Sequence, residues 1–223
     1  MSNYFNLVPD FQYVSRLPNA KISDYITVKN LFKRIFLRED IYQNLTFFKK
    51  YTVIGDDRPD NVAAQVYQDS TLDWLVLITN NIVNIANEWP LGQSDFNRYL
   101  LDKYDDDYNK IYNEVHHFET IEVKDSNDVI IVPEGLEVSE DFSTTYYDYF
   151  IGGLTTANNI TRPITNLQYE ENLENKKREI FILKPEYISV VLDDISSLNT
   201  YKKGSTEYIN GTLKKAENIR LFQ

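Results

Sequence analysis

The chain contains no cysteine. This removes disulfide staples, thiolate nucleophiles and cysteine–zinc sites together. It has two histidines, the adjacent His116 and His117. Neighbours on a strand point to opposite faces, so the pair is not expected to share a metal. The longest strongly apolar run, Trp74 to Ile78, falls far short of the ~20 residues that cross a bilayer. Met1-Ser2-Asn3-Tyr4 has neither the basic nor the apolar stretch of a secretory signal, so cytoplasmic synthesis is expected. Basic charge is also short: 23 Lys and Arg against 34 Asp and Glu give a net charge of −11. Such a chain repels nucleic acid and anionic membrane, and neither is an expected partner. There is no phosphate loop, dinucleotide fingerprint or serine elbow.

Aromatic side chains are plentiful: 17 Tyr and 12 Phe in 223 residues. Most serve as core packing in an ordinary domain, but Tyr is also favoured where proteins meet. The length suits one large or two small domains, and the hydrophobic content of 42% supports a real core.

The stretch Tyr51 to Tyr104 carries the clearest pattern. Tyr51 and Val53 flank a polar Thr52 as in a strand. Gly55-Asp56-Asp57 makes a turn, and Asp57 is placed to cap a helix that has Pro59 in its first turn. Val62, Ala63, Val66 and Tyr67 give that helix an apolar face. A second helix, with Leu72, Leu75, Val76 and Thr79 on one side and Trp74 and Ile78 on another, is apolar nearly all round and should be buried before Asn80-Asn81 end it.

This order resembles the opening of a LysM module, in which two helices pack on a two-stranded sheet; the matching positions are Tyr51, Val53, Asp57, Val62, Ala63 and Tyr67. Arg58-Pro59, Tyr67 and Asp73-Trp74 are similar to the LysM-like segment of a baseplate wedge protein of contractile-tailed (myovirus) bacteriophages, the gene product 53 type. Asn80-Asn81, Glu88 to Leu91, Phe96 to Leu100, Val28 to Phe32, His116 to Thr120 and Arg178 to Leu183 extend that resemblance over most of the chain. Two features depart from sugar-binding LysM modules. The glycine of the turn, Gly55, sits one residue early, and the place of a Pro-Gly turn and closing strand holds a tryptophan-rich, helical segment.

Elsewhere, residues 1–27 read as an irregular arm whose Tyr4, Phe5, Phe11 and Tyr13 either meet a neighbouring subunit or wrap the chain's own domain. Val28, Leu31, Phe32, Ile35 and Phe36 fit a helix face, and Lys33, Arg34 and Arg38 read as a solvated basic cluster, with contact to an acidic partner as the alternative. Ser94 or Asp95 can cap a helix bearing Phe96, Tyr99, Leu100 and Tyr104. Asp105-Asp106-Asp107 is an acidic turn rather than a calcium loop, because Lys110 and His116 stand where glycine and glutamate are needed. Val115 to Val138 reads as a β-hairpin turning at Asp125 to Asp128. Residues 139–163 read as a long loop with the aromatic cluster Tyr146, Tyr147, Tyr149 and Phe150. A helix over about 166–177, a strand at Glu179 to Leu183 and a helix opened by Pro185 follow, then a loosely held tail. The acid pairs Glu170-Glu171 and Asp193-Asp194 lie on polar helix faces and read as solvated.

The expected fold class is α+β: a LysM-like βαα(β) core elaborated with a β-hairpin, a C-terminal helix–strand–helix segment and extended arms. The expected divisions are an N-terminal arm and lead-in over 1–47, the LysM-like core over 48–104, and a C-terminal α+β region over 105–223. The resemblance implies a structural, non-enzymatic baseplate component of the virion, assembled in the host cytoplasm, that joins wedges into the ring around the hub. Its implied partners are other wedge and hub-proximal tail proteins, with no cofactor and no metal. The alternative is a LysM-type peptidoglycan- or glycan-binding module, whose groove positions would be Gly55, Asp56, Asp57, Arg58, Asn80, Asn81 and Ile82. Turn and cap chemistry explains those residues without a sugar, so peptidoglycan is not an expected partner.

Overall fold

The computed structural model describes residues 4–21, 23–201, 203 and 208–215. They form a mixed α+β protein with short helices and several small sheets. The chain divides into two compact units, Met1–Trp89 with Arg178–Gln223, and Pro90–Lys177. The sequence-based divisions after residues 47 and 104 each fall inside one of these units.

The first unit opens with α1 (Tyr4–Leu7), β1 (Asp10–Val14) and β2 (Tyr25–Lys29). The two strands pair antiparallel from Asp10↔Lys29 to Val14↔Tyr25, so this segment is not an irregular arm. The helix expected across Val28 to Phe36 is also absent. Val28 belongs to β2, and Ile35 and Leu37 are buried while Phe36 between them is 62% exposed. That alternation is the period of extended chain, not of a helix. A short α2 (Glu39–Tyr42) follows, and its Arg38 cap ion-pairs with Asp40 and Asp194. Lys33 donates to the Asn199 carbonyl and lies over the Tyr201 ring, so the basic cluster is engaged rather than merely solvated.

Strand β3 (Phe48–Thr52) leads through a turn at Gly55, whose φ of +57° suits glycine, into α3 (Pro59–Tyr67). The cap of α3 is Arg58, with no side-chain bond to the helix end, rather than Asp57. The Asp57 carboxylate instead accepts from the Gln65 side-chain amide at 3.2 Å. Pro59 at the helix start needs no cap for its missing N–H. Asp69 holds the next short turn by accepting from Thr71 N–H, and α4 (Asp73–Thr79) then buries Trp74, Leu75, Val76 and Thr79. A one-turn α5 (Ile85–Glu88) ends this part at Trp89.

The second unit begins with α6 (Gln93–Lys103) and α7 (Tyr108–Tyr112). Gly92, not Ser94 or Asp95, is the cap of α6, again without a side-chain bond. Asp107 caps α7 by accepting from the N–H groups of Asn109 and Lys110, a use of the acidic turn that needs no cation. The strands are β4 (Val115–Thr120), β5 (Val123–Lys124), β6 (Ile130–Val132), β7 (Glu137–Val138), β8 (Thr144–Asp148), β9 (Gly153–Ala157) and β10 (Thr161–Thr165), closed by α8 (Asn166–Arg178). β10, β4 and β7 form one sheet, while β5–β6 and β8–β9 are separate two-stranded ribbons. The expected hairpin survives as β5–β6, but the expected loop over 139–163 carries three strands. Its short alternation, with Tyr146, Thr144 and Thr155 turned partly inward, is masked in sequence by glycine, asparagine and threonine.

The chain then returns to the first unit with β11 (Glu179–Leu183), α9 (Ile188–Leu198), β12 (Tyr208–Asn210) and β13 (Leu213–Lys215). The helix–strand–helix segment expected from sequence is α8, β11 and α9. β11 pairs antiparallel with β3, from Glu179↔Thr52 to Leu183↔Phe48. β13 runs parallel to β1 with Asp10 opposite Leu213, so part of the expected loose tail completes a four-stranded sheet; residues 216–223 lie outside the described residues. The first unit's core gathers Val53, Val62, Ala63, Leu75 and Val76 with Ile180, Ile182 and Leu183 of β11, and Val66, Tyr67 and Ile78 pack against them. β3, α3, α4 and β11 are therefore a strand–helix–helix–strand arrangement whose last strand arrives from far downstream.

Candidate functional site

The two loops expected to bound a sugar groove lie in the first unit, and both lean on β11. The Gly55 carbonyl accepts from the Arg178 guanidinium at 2.9 Å, just before that strand begins. Asn80 clamps the middle of the same strand. Its side chain donates to the Phe181 carbonyl and accepts from the Phe181 N–H, both at 2.8 Å, and donates also to the Val76 carbonyl. Three residues of strand separate these anchors, about 10 Å at ~3.3 Å per residue. Around them, the Trp89 indole N–H donates to the Asp57 carbonyl at 2.9 Å, and Tyr51, Gln65 and Asp57 form a hydrogen-bonded chain. Burial, with the nearby Asp57 charge, pushes the Tyr51 hydroxyl pKa up. Asn81 accepts from Arg34 at 3.1 Å, Ile82 packs on the core, and Arg58 ion-pairs with Asp60 at 3.3 Å. Polar groups of Gly55, Asp57, Arg58, Asn80 and Asn81 are thus engaged with other residues of the first unit. Beside Asn81 lies a shallow groove of about 260 Å³, lined by Arg34, Ile35, Leu37, Tyr42 and Ile78, that sequence reasoning missed because it assigned a helix there.

The aromatic candidates fall in two places. Tyr4 is half-buried and meets the Trp74 ring edge-on at 6.0 Å, so it packs on the first unit's core. Its neighbour Phe5 is 52% exposed and edge-on to Tyr4. Phe11 and Tyr13 point to the same face of β1, with ring centroids 6.2 Å apart. In the second unit, Tyr146 and Tyr147 lie on β8, and Tyr149 and Phe150 form the turn into β9. Tyr149 and Phe150 are 81% and 79% exposed, the strongest exposure among the aromatic candidates.

That turn is built by Asp148, which is itself buried. One carboxylate oxygen accepts from the N–H groups of Phe150 and Ile151, the other from the N–H and hydroxyl of Ser126. The Ser126 hydroxyl, aided by these backbone donors and opposed by burial, holds the Asp148 pKa below its ordinary value. The tip of β8–β9 is thereby lashed to the turn between β5 and β6.

Two further expectations need correction. Glu170 is not solvated: only 3% of its side chain is exposed, and Lys103 donates to it at 2.5 Å, with Tyr104 at 3.1 Å and Tyr99 at 3.2 Å. Burial works against the Lys103 charge, but bonding to Glu170 and Tyr99 outweighs it and pushes that pKa up. The α8 face that buries Glu170 also buries Asn166 and Glu174, and Glu174 accepts from Leu91 N–H and Lys177. Nor do His116 and His117 diverge. A register shift in the β10–β4 pairing leaves His116 out of the ladder, and the two Nδ1 atoms approach to 2.8 Å beside Tyr169, on which His116 stacks at 3.8 Å. Among the described residues no group of three or more His, Asp or Glu could hold a metal ion, and no helix is long and apolar enough to cross a membrane.

A comparison with curated proteins matches nothing. A family model described as base plate wedge protein 53 matches residues 4–198, a span that runs through both compact units. On that match, covering most of its length, the chain belongs to the base plate wedge protein 53 family.

Proposed function

We propose that the chain is a structural, non-enzymatic subunit of a contractile-tail baseplate wedge that joins wedge subunits into the ring around the hub during tail assembly. The family match over residues 4–198 carries this reading. It belongs to the virion tail baseplate, is assembled in the host cytoplasm, and has other wedge and hub-proximal tail proteins as its partners. We further propose that β3, α3, α4 and β11 are a LysM-like unit whose closing strand is displaced by the inserted residues 90–177. The antiparallel β3–β11 pairing and the two helices between these strands in the chain support it. Exposed Phe5 and the Tyr149–Phe150 turn are candidate contacts to neighbouring subunits. The peptidoglycan alternative draws support from the same four elements, but the internal bonding of Gly55, Asp57, Asn80 and Asn81 argues against an open sugar groove.

Deletion of the gene, with and without complementation, tests the joining role. Tail lysates lacking the protein should accumulate free wedges and no closed rings by sedimentation and negative-stain microscopy. Rings of normal size formed without it would overturn the reading. Saturable, competable retention of the purified chain on sacculi would put the glycan alternative first.

A further inference from the structure

The β8–β9 ribbon is unusual in what it leaves outside. Its strands pair only with each other, so both outer edges are unpaired. A lone two-stranded ribbon is marginal in water unless something else orders it. Here Asp148 does so, by gathering four donors from the tip and from the neighbouring turn. The result is a preformed tip carrying Tyr147, Tyr149, Phe150, Ile151 and Leu154, exposed by 48%, 81%, 79%, 65% and 76%. Tyr147 and Tyr149 brace each other edge-on at 5.1 Å. Exposed apolar side chains on a rigid turn bind with little entropy left to lose.

The surroundings of the tip select its occupant. The stretch Val115 to Thr165, which contains the ribbon, holds nine carboxylates and two basic side chains, a net of −7 out of the chain's −11. Lys124 and Arg162 are both engaged, with Glu122 and with Glu119 and Glu134. Among the described residues Asp125 and Asp128, in the turn that meets the tip, form no ion pair. Asp125 and Asp128 flank Ser126, the residue tied to Asp148, so their charge sits beside the aromatic tip. An anionic lipid surface would be repelled by this collar of Asp125 and Asp128. A second copy meeting the tip across a two-fold would bring the same carboxylates face to face. A basic protein surface gains from the collar and from the apolar side chains together.

We propose that the β8–β9 tip is an anchor that docks into apolar sockets on a basic surface of a different tail protein. This rests on the wedge-subunit reading above. The carboxylate collar steers the encounter, and Tyr149 and Phe150 supply the buried contacts.

The test places a photoreactive benzoylphenylalanine at position 150 of the full-length chain and assembles it into tails. After illumination, mass spectrometry should find position 150 joined to a Lys- and Arg-rich peptide of another tail protein. In parallel, Tyr149→Ser with Phe150→Ser should leave the melting temperature of the free chain unchanged within about 2 °C, as exposed sites do. The same pair should cut incorporation into tails at least tenfold, and raising salt should weaken capture of the unaltered chain. An adduct to phospholipid, to a second copy or to a peptide without net positive charge overturns the proposal, as does unchanged incorporation of the double variant. A chain present in purified tails whose position 150 reacts with no protein overturns this proposal alone. A chain absent from purified tails overturns the wedge reading as well.

Discussion

In the first unit Val62, Ala63, Leu75, Val76 and Leu183 have no measurable exposure, whereas the buried face of α8 in the second unit is Asn166, Glu170 and Glu174. One unit is held by apolar packing between helices and a paired sheet. The other has a small apolar cluster of Phe96, Leu100 and Ile111, supplemented by carboxylates that collect donors. Packing of the first kind fails through cavities and is indifferent to charge. Bonding of the second kind fails when one member of a buried polar set is removed, because the remaining groups are left without water or partner. The same chain therefore contains two regions that should answer to different insults.

The largest effect belongs to the first region. Leu75→Ala removes a fully buried side chain between the helices and β11, and should cost about 3–4 kcal/mol in denaturant unfolding. An unchanged midpoint would show that this face is not core. Next comes the second region. Lys103→Met keeps the stem but leaves the buried Glu170 with only two tyrosine donors. A loss of about 2 kcal/mol is expected, less than the ~3–5 of a fully buried pair because Lys103 is 41% exposed. Adding Glu170→Gln should recover part of that loss, which a purely steric effect of the methionine could not do.

Acid sharpens the contrast further. The Asp148 pKa is depressed in the folded chain, so its contribution is fully present above the ordinary value of 3.8 and disappears as pH falls through the lower folded value. Hydrogen-exchange protection factors at the Phe150 and Ile151 amides should hold down to about pH 4 and then fall, while those of the Val62 and Leu75 amides do not follow. A parallel loss of protection at all four would merge the two regions into one acid-labile structure. The smallest effect is expected for Tyr67→Phe. The Tyr67 hydroxyl is buried with no hydrogen-bond partner among the described residues, and burial pushes its pKa up. The Leu183 backbone is near but outside bonding geometry, and its opposing influence is the weaker. Removing that oxygen should change stability by no more than about 0.5 kcal/mol, with either no change or a gain.

Local grammar was readable where the chain supplies its own partners. Val62, Ala63, Leu75 and Val76 announce buried helix faces by spacing, and Pro59 marks a helix start, as the structure has them. What could not be read depends on distant residues. Phe11 and Tyr13 gain a strand only because Tyr25 to Lys29 and Leu213 to Lys215 flank them, and no local period reports that. Glu170 resembles any solvated helix acid until Lys103, Tyr99 and Tyr104 are brought to it. Asp57 has the residue type and place of a cap, yet Gln65 takes its carboxylate and Trp89 its carbonyl. Of the candidate site, the exposed Tyr149 and Phe150 were visible as an aromatic cluster. The carboxylate that shapes their turn, Asp148, was hidden among them as one more acid.

The pairing of β3 with β11 also sets a clock during synthesis. β3 ends at Thr52, but its partner is complete only at Leu183, 131 residues later. At ~5–20 residues per second the ribosome needs roughly 7–26 s to deliver the second strand. All of residues 90–177 emerge in that interval, with time to fold first, while the edge of β3 and the apolar faces of α3 and α4 wait uncovered. The nascent chain thus passes through a period in which residues 90–177 can complete their unit while the first unit still lacks β11, and chaperones or premature neighbours have their opportunity then.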